Sequence, residues 1–380
     1  VSTIVLIVII TALIFDFTNG FHDTANAMAT SIATGALPPR VGVAVSGVFN
    51  LVGAFLSVTV AKTISGGLVD EAQITPTVIF AGLVGAVLWN LVTWLLGLPS
   101  SSSHALFGGL IGATWAAAGV HAVHFGTVLS KVLIPAILSP FVAGLVAFTG
   151  TYLAYRLTSR GDQPIVSRGY KAGQVVSASM VSLAHGTNDA QKTMGVVTLT
   201  LITVGLLPPN SGPPVWVILM AGLAIAVGTY VGGWRIIRTL GRRITRIETT
   251  QGFAAETSST VVILVSTHFG YPLSTTQVVS GAVFGVGSAR RLAAVRWSLA
   301  GQMVLAWAFT LPAAAIVGSI AGRVAAAGAV GIVIVAVVAV AVALTTYVLA
   351  RRQPVTAANV NNVPTPQIPT TGGRAEERAC

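Results

Sequence analysis

The chain has 380 residues, of which 54% are hydrophobic and only 8% charged, against roughly 25% charged in an ordinary soluble domain. That balance excludes a fold with water as its main solvent. The formal net charge of +11 does not signal nucleic acid, because Lys and Arg gather in short loops between apolar runs, as in cytoplasmic loops of membrane proteins.

The first apolar segment lacks a basic start and leads straight into Asp16, His22 and Asp23, so it reads as a retained membrane segment rather than a removable signal peptide. Long runs without charge follow at 41–61, 72–130, 132–155, 193–234, 257–289, 297–322 and 324–350. Each can hold the roughly 20 apolar residues that cross a bilayer, and the longest holds two or more crossings, for a total of about ten or eleven segments. Backbone groups in hydrocarbon must be satisfied internally, and the runs lack the alternation of a barrel, so the expected class is an all-α polytopic membrane protein. The only cysteine, Cys380, is the last residue, which leaves no internal disulfide.

Two motifs recur in order. GFHDTANAMA at 20–29 answers GTNDAQKTMG at 186–195, aligning Gly20 with Gly186, Asp23 with Asp189 and Met28 with Met194. The exits GALPP (35–39) and GLLPP (205–209) also correspond, and GLPSSSSHALFGGLIG at 97–112 answers GYPLSTTQVVSGAVFG at 270–285. Corresponding loops differ in charge. The loop at 62–75 carries Lys62, Asp70 and Glu71, whereas 235–248 carries Arg235, Arg238, Arg242, Arg243, Arg246 and Glu248; 119–126 has no Lys or Arg, whereas 290–296 has Arg290, Arg291 and Arg296. By the positive-inside rule the halves have inverted topology, which an odd number of segments per half, roughly five at 20 residues each, produces. The expected organisation is a first repeat at 1–155, a basic cytoplasmic connector at 156–171, a second repeat at 172–322, an extra helix at 323–350 and a disordered polar tail at 351–380.

Asp16, Asp23, Asp189, Lys192 and Glu256 lie in or beside apolar spans, where an ionised group costs roughly 2.5 to 3.5 kcal/mol on insertion scales and marks an ion or substrate pathway. A structural pair of Asp189 with Lys192, one turn apart, is the plain alternative. Around each repeated Asp stand hard ligands: Asn19, His22 and Asn26 in the first half, and His185, Asn188 and Gln191 in the second. Such oxygens suit a sodium-like cation or a proton. Gly20 and Gly186 are expected to let the backbone break and expose carbonyls. His22, His185 and His104 are candidate proton relays or simply packed histidines. No metal ligand set and no resident cofactor are assigned. The hydroxyl runs Ser100, Ser101, Ser102, Ser103 and Ser274, Thr275, Thr276 each follow a proline, Pro99 or Pro272. Proline stops one helix, a hydroxyl caps the next, and the free N–H groups with converging hydroxyls make a site for a tetrahedral oxyanion. Inverting the repeat brings the two broken-helix clusters face to face near the bilayer midplane.

At these residues the chain resembles the inorganic phosphate transporter family of the PiT or Pho4 type. The resemblance rests on GFHDTANA and GTNDAQKTMG, matching the family's Gly-Ala-Asn-Asp-like signature, and on PSSSSHALFGG (99–109) and PLSTTQVVSG (272–281), matching its proline-hydroxyl signature. It covers about residues 1 to 350 and is closest to the bacterial low-affinity, Pit-like branch; Phe21 and His22 stand where many members have Ala and Asn. The resemblance implies symport of phosphate, free or as metal phosphate, across the plasma (inner) membrane by alternating access, with a proton favoured as coupling ion over sodium. It implies Ser101, Ser102, Ser103, Ser274, Thr275 and Thr276 around phosphate, and Asp23, Asn26, Asp189, Asn188, His22, His104 and Gln277 around the cation or proton. Gly20, Gly186, Gln191, Lys192 and Glu256 are expected to support them. The expected partners are phosphate, a coupling cation and the lipid bilayer, with a second copy of the chain as a candidate. Rival readings are a carrier of sulfate or arsenate, and an anion channel. An enzyme built on Ser103 and His104 is disfavoured because adjacent helical residues point about 100° apart.

Overall fold

The structure, a computed structural model, describes residues 2–70, 72–290 and 295–362. Glu71, Arg291 and the tail from 363 onward lie outside the described residues.

Helix α1 (Thr3–Thr34) ends where Gly35 takes φ +71°, a left-handed turn that costs a residue without Cβ nothing. Pro39 then opens α2 (Pro39–Ala54), its missing N–H falling where no intrahelical partner exists. A 67° bend leads to α3 (Thr59–Gly67). A helical hairpin follows, made of α4 (Pro76–Leu96) and α5 (Ser102–Ala118), and its turn carries Gly97 at φ +66°. The short α6 (Phe125–Thr127) passes through a wide π turn into α7 (Ile134–Thr158). The second half repeats this order: α8 (Gln163–Thr203), α9 (Val215–Val231), α10 (Trp234–Arg238) after a 59° bend, the hairpin α11 (Thr249–His268) and α12 (Thr275–Arg290), and α13 (Trp297–Ala325). Helix α14 (Ala329–Arg352) is extra. Counting each bent pair once and each hairpin arm separately, the described helices make five segments before Gln163, five from α8 to α13, and one more.

By length and hydropathy, five of the described helices can each cross a membrane, or seven if each bent pair is one span. The shortfall from the ten or eleven expected has a physical cause. Helices α5 and α12 have only 17 and 16 residues, and α8 and α11 are lined with polar side chains that face protein rather than lipid. The lipid side shows the reverse pattern: Phe141 and Leu145 on α7 are 73% and 68% exposed, and Val337 on α14 is 61% exposed. Apolar side chains facing outward around a polar interior require a bilayer as solvent.

The halves are interleaved. Helix α1 packs against α9 and α2 against α8, while α5 lies on α13 and α12 on α7, so each hairpin rests on the last helix of the opposite half. Glycines permit the crossings. A Cβ on Gly20 would collide with the carbonyl oxygen of Ile225 in α9, and one on Gly186 with that of Asn50 in α2. The expectation that these glycines break their helices is therefore corrected. Helices α1 and α8 run unbroken through both, and what glycine supplies is close approach.

Two boundaries also differ from the expectation. The connector 156–171 is mostly helical, because α7 continues to Thr158 and α8 begins at Gln163. The described part of the tail is held rather than loose. Arg235 donates to the Ala350 and Gln353 carbonyls (2.8 and 2.7 Å), Arg238 to the Asn359 carbonyl and side chain (2.9 Å each), and Arg242 to Asn361 Oδ1 (3.0 Å). Guanidinium forks satisfy carbonyls that have no partner beyond a helix end.

Candidate functional site

The two repeated motifs lie in mid-helix on α1 and α8, and the two hairpin tips come down onto them. At each tip a left-handed glycine ends one helix and a proline follows, Gly97 and Pro99 in the first half, Gly270 and Pro272 in the second. The hydroxyl two positions after each proline caps the following helix: Ser101 Oγ accepts from the His104 N–H (3.1 Å), and Ser274 Oγ accepts from the Gln277 N–H (3.3 Å). Ser101 and Ser274 are thus caps whose O–H remains a donor, and Ser102, Ser103, Thr275 and Thr276 face the motifs.

The contacts recur with the halves exchanged. Ser102 Oγ donates to Asp23 Oδ2 at 2.7 Å, and its counterpart Thr275 donates to Asp189 Oδ2 at 3.2 Å. Asn26 Nδ2 donates to Thr276 at 3.0 Å, as Lys192 Nζ donates to Ser103 at 2.6 Å. Asn26 also reaches Thr275 (3.2 Å), and Thr276 reaches Asp23 Oδ1 (3.3 Å). The tips touch each other where Ser103 Oγ donates to the Leu273 carbonyl at 3.0 Å.

Histidines flank both carboxylates. His22 Nδ1 is 2.5 Å from Asp23 Oδ1, and its Nε2 is 3.3 Å from the hydroxyls of Thr93 and Ser100. With Nδ1 protonated toward the carboxylate, Nε2 accepts from a hydroxyl. His185 Nδ1 lies 3.1 Å from Asn50 Oδ1, and its Nε2 stands 3.2 Å from Asp189 Oδ2, within ion-pair distance but without hydrogen-bond alignment. One ligand atom each from Asp23, His185 and Asp189 can be chosen so that all lie within 4.8 Å of one another. Asp16, Asn19, His22, Asp23, Asn26, Asn188, Asp189 and Lys192 are all buried. Among the described residues, Asn26 Oδ1, Asn188 Oδ1 and both oxygens of Asp16 find no hydrogen-bond partner. A buried polar atom left alone costs about 1–3 kcal/mol, so such acceptors around paired carboxylates suit a site that an ion or solute completes.

Other expected residues are used differently. Gln191 Oε1 accepts the N–H groups of Val60 and Ala61 (2.8 and 3.1 Å), capping the start of α3. Asn188 Nδ2 holds the second tip through Thr267 Oγ1 (2.8 Å) and the Tyr271 carbonyl (3.2 Å). His104 and Gln277, register mates in the repeat, line a groove of about 960 Å³ whose walls include Pro140, Phe284, Trp307 and Leu311. Glu256 belongs to a second polar cluster, not to the tips. It accepts from Thr30 and Ser31 (2.6 Å each), Ser177 (2.5 Å) and Gln174 (3.2 Å). Sequence reasoning missed those four donors. The signal was present as polar residues one turn apart, Gln174 with Ser177 on α8 and Thr30 with Thr34 on α1, in stretches otherwise fit for a membrane.

A polytopic helical bundle with buried carboxylates beneath two hydroxyl-bearing hairpin tips is the architecture of a membrane protein that handles a polar solute within its interior. The chain belongs to the phosphate transporter family PHO4, whose pattern matches residues 19–318, and falls with its bacterial low-affinity, Pit-like members. It is 54% identical over 361 residues, 94% of this chain and 87% of the relative, to a protein of Mycobacterium tuberculosis strain H37Rv named "Probable low-affinity inorganic phosphate transporter". A Bacillus subtilis protein of the same name is 40% identical over 83% of this chain and 95% of its own length. Among solved structures, one titled "The sodium-dependent phosphate transporter" superposes with a TM-score of 0.76 at 24% identity, covering 85% of this chain and 99% of that one, and so shares the fold.

Proposed function

We propose that this phosphate transporter imports inorganic phosphate across the plasma membrane by cation-coupled symport, and that the two hairpin tips hold phosphate above Asp23 and Asp189. The observation that carries the reading is the pair of matching contacts, Ser102 to Asp23 and Thr275 to Asp189. A hydroxyl has one proton to donate. While the carboxylate is ionised it takes that proton in a charge-assisted bond, and it also repels an incoming anion. A proton or metal cation on the carboxylate removes both obstacles: the hydroxyl turns to the phosphate, joined by the free N–H groups at the starts of α5 and α12. Cation and phosphate then load together, and the inverted halves expose the filled site to one side at a time.

His22 favours a proton, because it already bridges Asp23 to the hydroxyls of Thr93 and Ser100. Sodium is the second reading, favoured by the unpartnered Asn26 Oδ1 beside Asp23. The interleaved packing bears on the moving parts. With each hairpin seated on the opposite half's last helix, the units that shift are α4, α5 and α13, and α7, α11 and α12, rather than residues 1–155 against 172–322.

The test is uptake of radiolabelled phosphate into proteoliposomes under a proton or a sodium gradient imposed separately, with and without Mg²⁺, and with unlabelled sulfate or arsenate as competitor. Saturable uptake driven by one gradient and insensitive to sulfate is expected. Uptake that neither saturates nor responds to a gradient would replace the symporter with a channel.

A further inference from the structure

The two halves of the site match in geometry but not in charge. The alignment that pairs Asp23 with Asp189 also pairs Asn26 with Lys192. The contacts follow the same correspondence, since Asn26 reaches Thr276 and Lys192 reaches Ser103, each hydroxyl standing at the same place after its proline.

Lys192 is fully buried, and its ammonium has three protons and three oxygen acceptors: Asp189 Oδ1 at 2.5 Å, Ser103 Oγ at 2.6 Å and the Leu273 carbonyl at 2.9 Å. Carboxylate, hydroxyl and backbone carbonyl are also the ligands a small hard cation takes. In the first half the corresponding groups are the Asp23 carboxylate, the Thr276 hydroxyl and the carbonyl of Ser100, the register mate of Leu273. There the residue in the lysine's place is the neutral Asn26, whose Oδ1 is buried and finds no hydrogen-bond partner among the described residues. One half therefore carries a permanent positive charge, whereas beside Asp23 in the other the cationic partner is His22, 2.5 Å away and charged only when it takes up a proton.

We propose that Lys192 is a tethered cation. Its ammonium fills in the second half the place that a mobile cation takes in the first, so this chain moves one cation fewer per phosphate than a carrier with both places open. The inference rests on the coupled-transport reading above and adds its stoichiometry. It also separates Lys192 from a plain structural strut, because a strut contributes nothing to the count of charges moved.

The experiment compares the wild-type chain with Lys192→Asn, which puts the residue type of Asn26 at the matching place in the second half. In proteoliposomes with the potential set by potassium and valinomycin, the zero-flux potential reports net charge carried per phosphate; in detergent, calorimetry reports phosphate binding in sodium chloride against choline chloride, each at acid and at alkaline pH. The variant is expected to carry about one more elementary charge per phosphate, which shifts the energy of transport by about 2.3 kcal/mol per 100 mV, and, relative to the wild type, to lose at least a further roughly tenfold in phosphate affinity when the coupling cation, sodium or proton, is withdrawn. If the variant folds but does not transport, the calorimetric contrast decides alone. An unchanged charge count, a dependence of phosphate binding on sodium and pH no steeper than in the wild type, or no binding in any condition by folded protein would each overturn the proposal. Should Lys192→Asn not fold, Lys192→Gln, closer in length, carries the same two readouts. A wild type that neither binds nor carries phosphate would instead sink the transport reading, and this inference with it.

Discussion

Replacing Asp23 by Asn separates the two jobs assigned to that carboxylate. The change keeps the shape and an acceptor for Ser102, now 2.7 Å away, but removes the charge. A unit charge about 4 Å from another is worth about 4 kcal/mol at an effective dielectric of about 20. With 1.4 kcal/mol per factor of ten, the carboxylate can make phosphate affinity depend on the coupling cation by roughly 10²- to 10³-fold. The amide mimics the neutralised state, so Asp23→Asn is expected to bind phosphate with little dependence on proton or sodium concentration. It should exchange labelled for unlabelled phosphate across the bilayer, yet no longer accumulate phosphate against its gradient. Calorimetry at several cation concentrations, run beside counterflow and gradient-driven uptake, checks each part. Gradient-driven accumulation at the wild-type level would refute the coupling argument, whatever the binding data showed.

Ser102→Ala and Thr275→Ala each remove a hydroxyl that turns from its carboxylate to the phosphate, and a hydrogen bond to a charged group is worth about 1.5–3 kcal/mol, so each should lower phosphate affinity roughly ten- to a hundredfold; saturation curves for uptake measure it. Gly20→Ala and Gly186→Ala drive a methyl into the Ile225 and Asn50 carbonyls, and such overpacking should cost about 1–3 kcal/mol, read as a lower unfolding temperature in detergent. Gly35→Ala is the contrasting case, since none of the described residues lies within 4 Å of where its Cβ would stand but φ is +71°, and a cost of only about 1 kcal/mol is expected from backbone strain. Glu256→Ala takes the carboxylate from Thr30, Ser31 and Ser177 together and leaves Ser31 and Ser177 only long contacts to the Gln174 carbonyl (3.5 and 3.4 Å); a loss of at least about 1–3 kcal/mol should follow, whereas Glu256→Gln should fold normally and show by its uptake whether the charge there matters.

Much of this protein is legible in one dimension. A bilayer leaves helices as the answer for apolar stretches of this length, and a buried acid is costly enough that its mere presence marks a pathway. Hence the class, the repeat, Asp23 with Asp189 and the two hydroxyl tips all follow from residue types and their order. What the order of residues does not contain is which helix meets which. Ser102 and Asp23, or Lys192 and Ser103, are far apart along the chain and touch because hairpin tips fold onto two mid-helix motifs. Three readings turned on that packing: Gly20 and Gly186 serve close approach and not a break, Gln191 caps α3, and Glu256 leaves the tips for a cluster with Thr30, Ser31, Gln174 and Ser177. The physical reason is common to all three. In a helix surrounded by lipid on one side and small residues on the other, periodicity separates polar from apolar faces only weakly, so the role of each polar group is decided by the neighbour that tertiary packing brings to it.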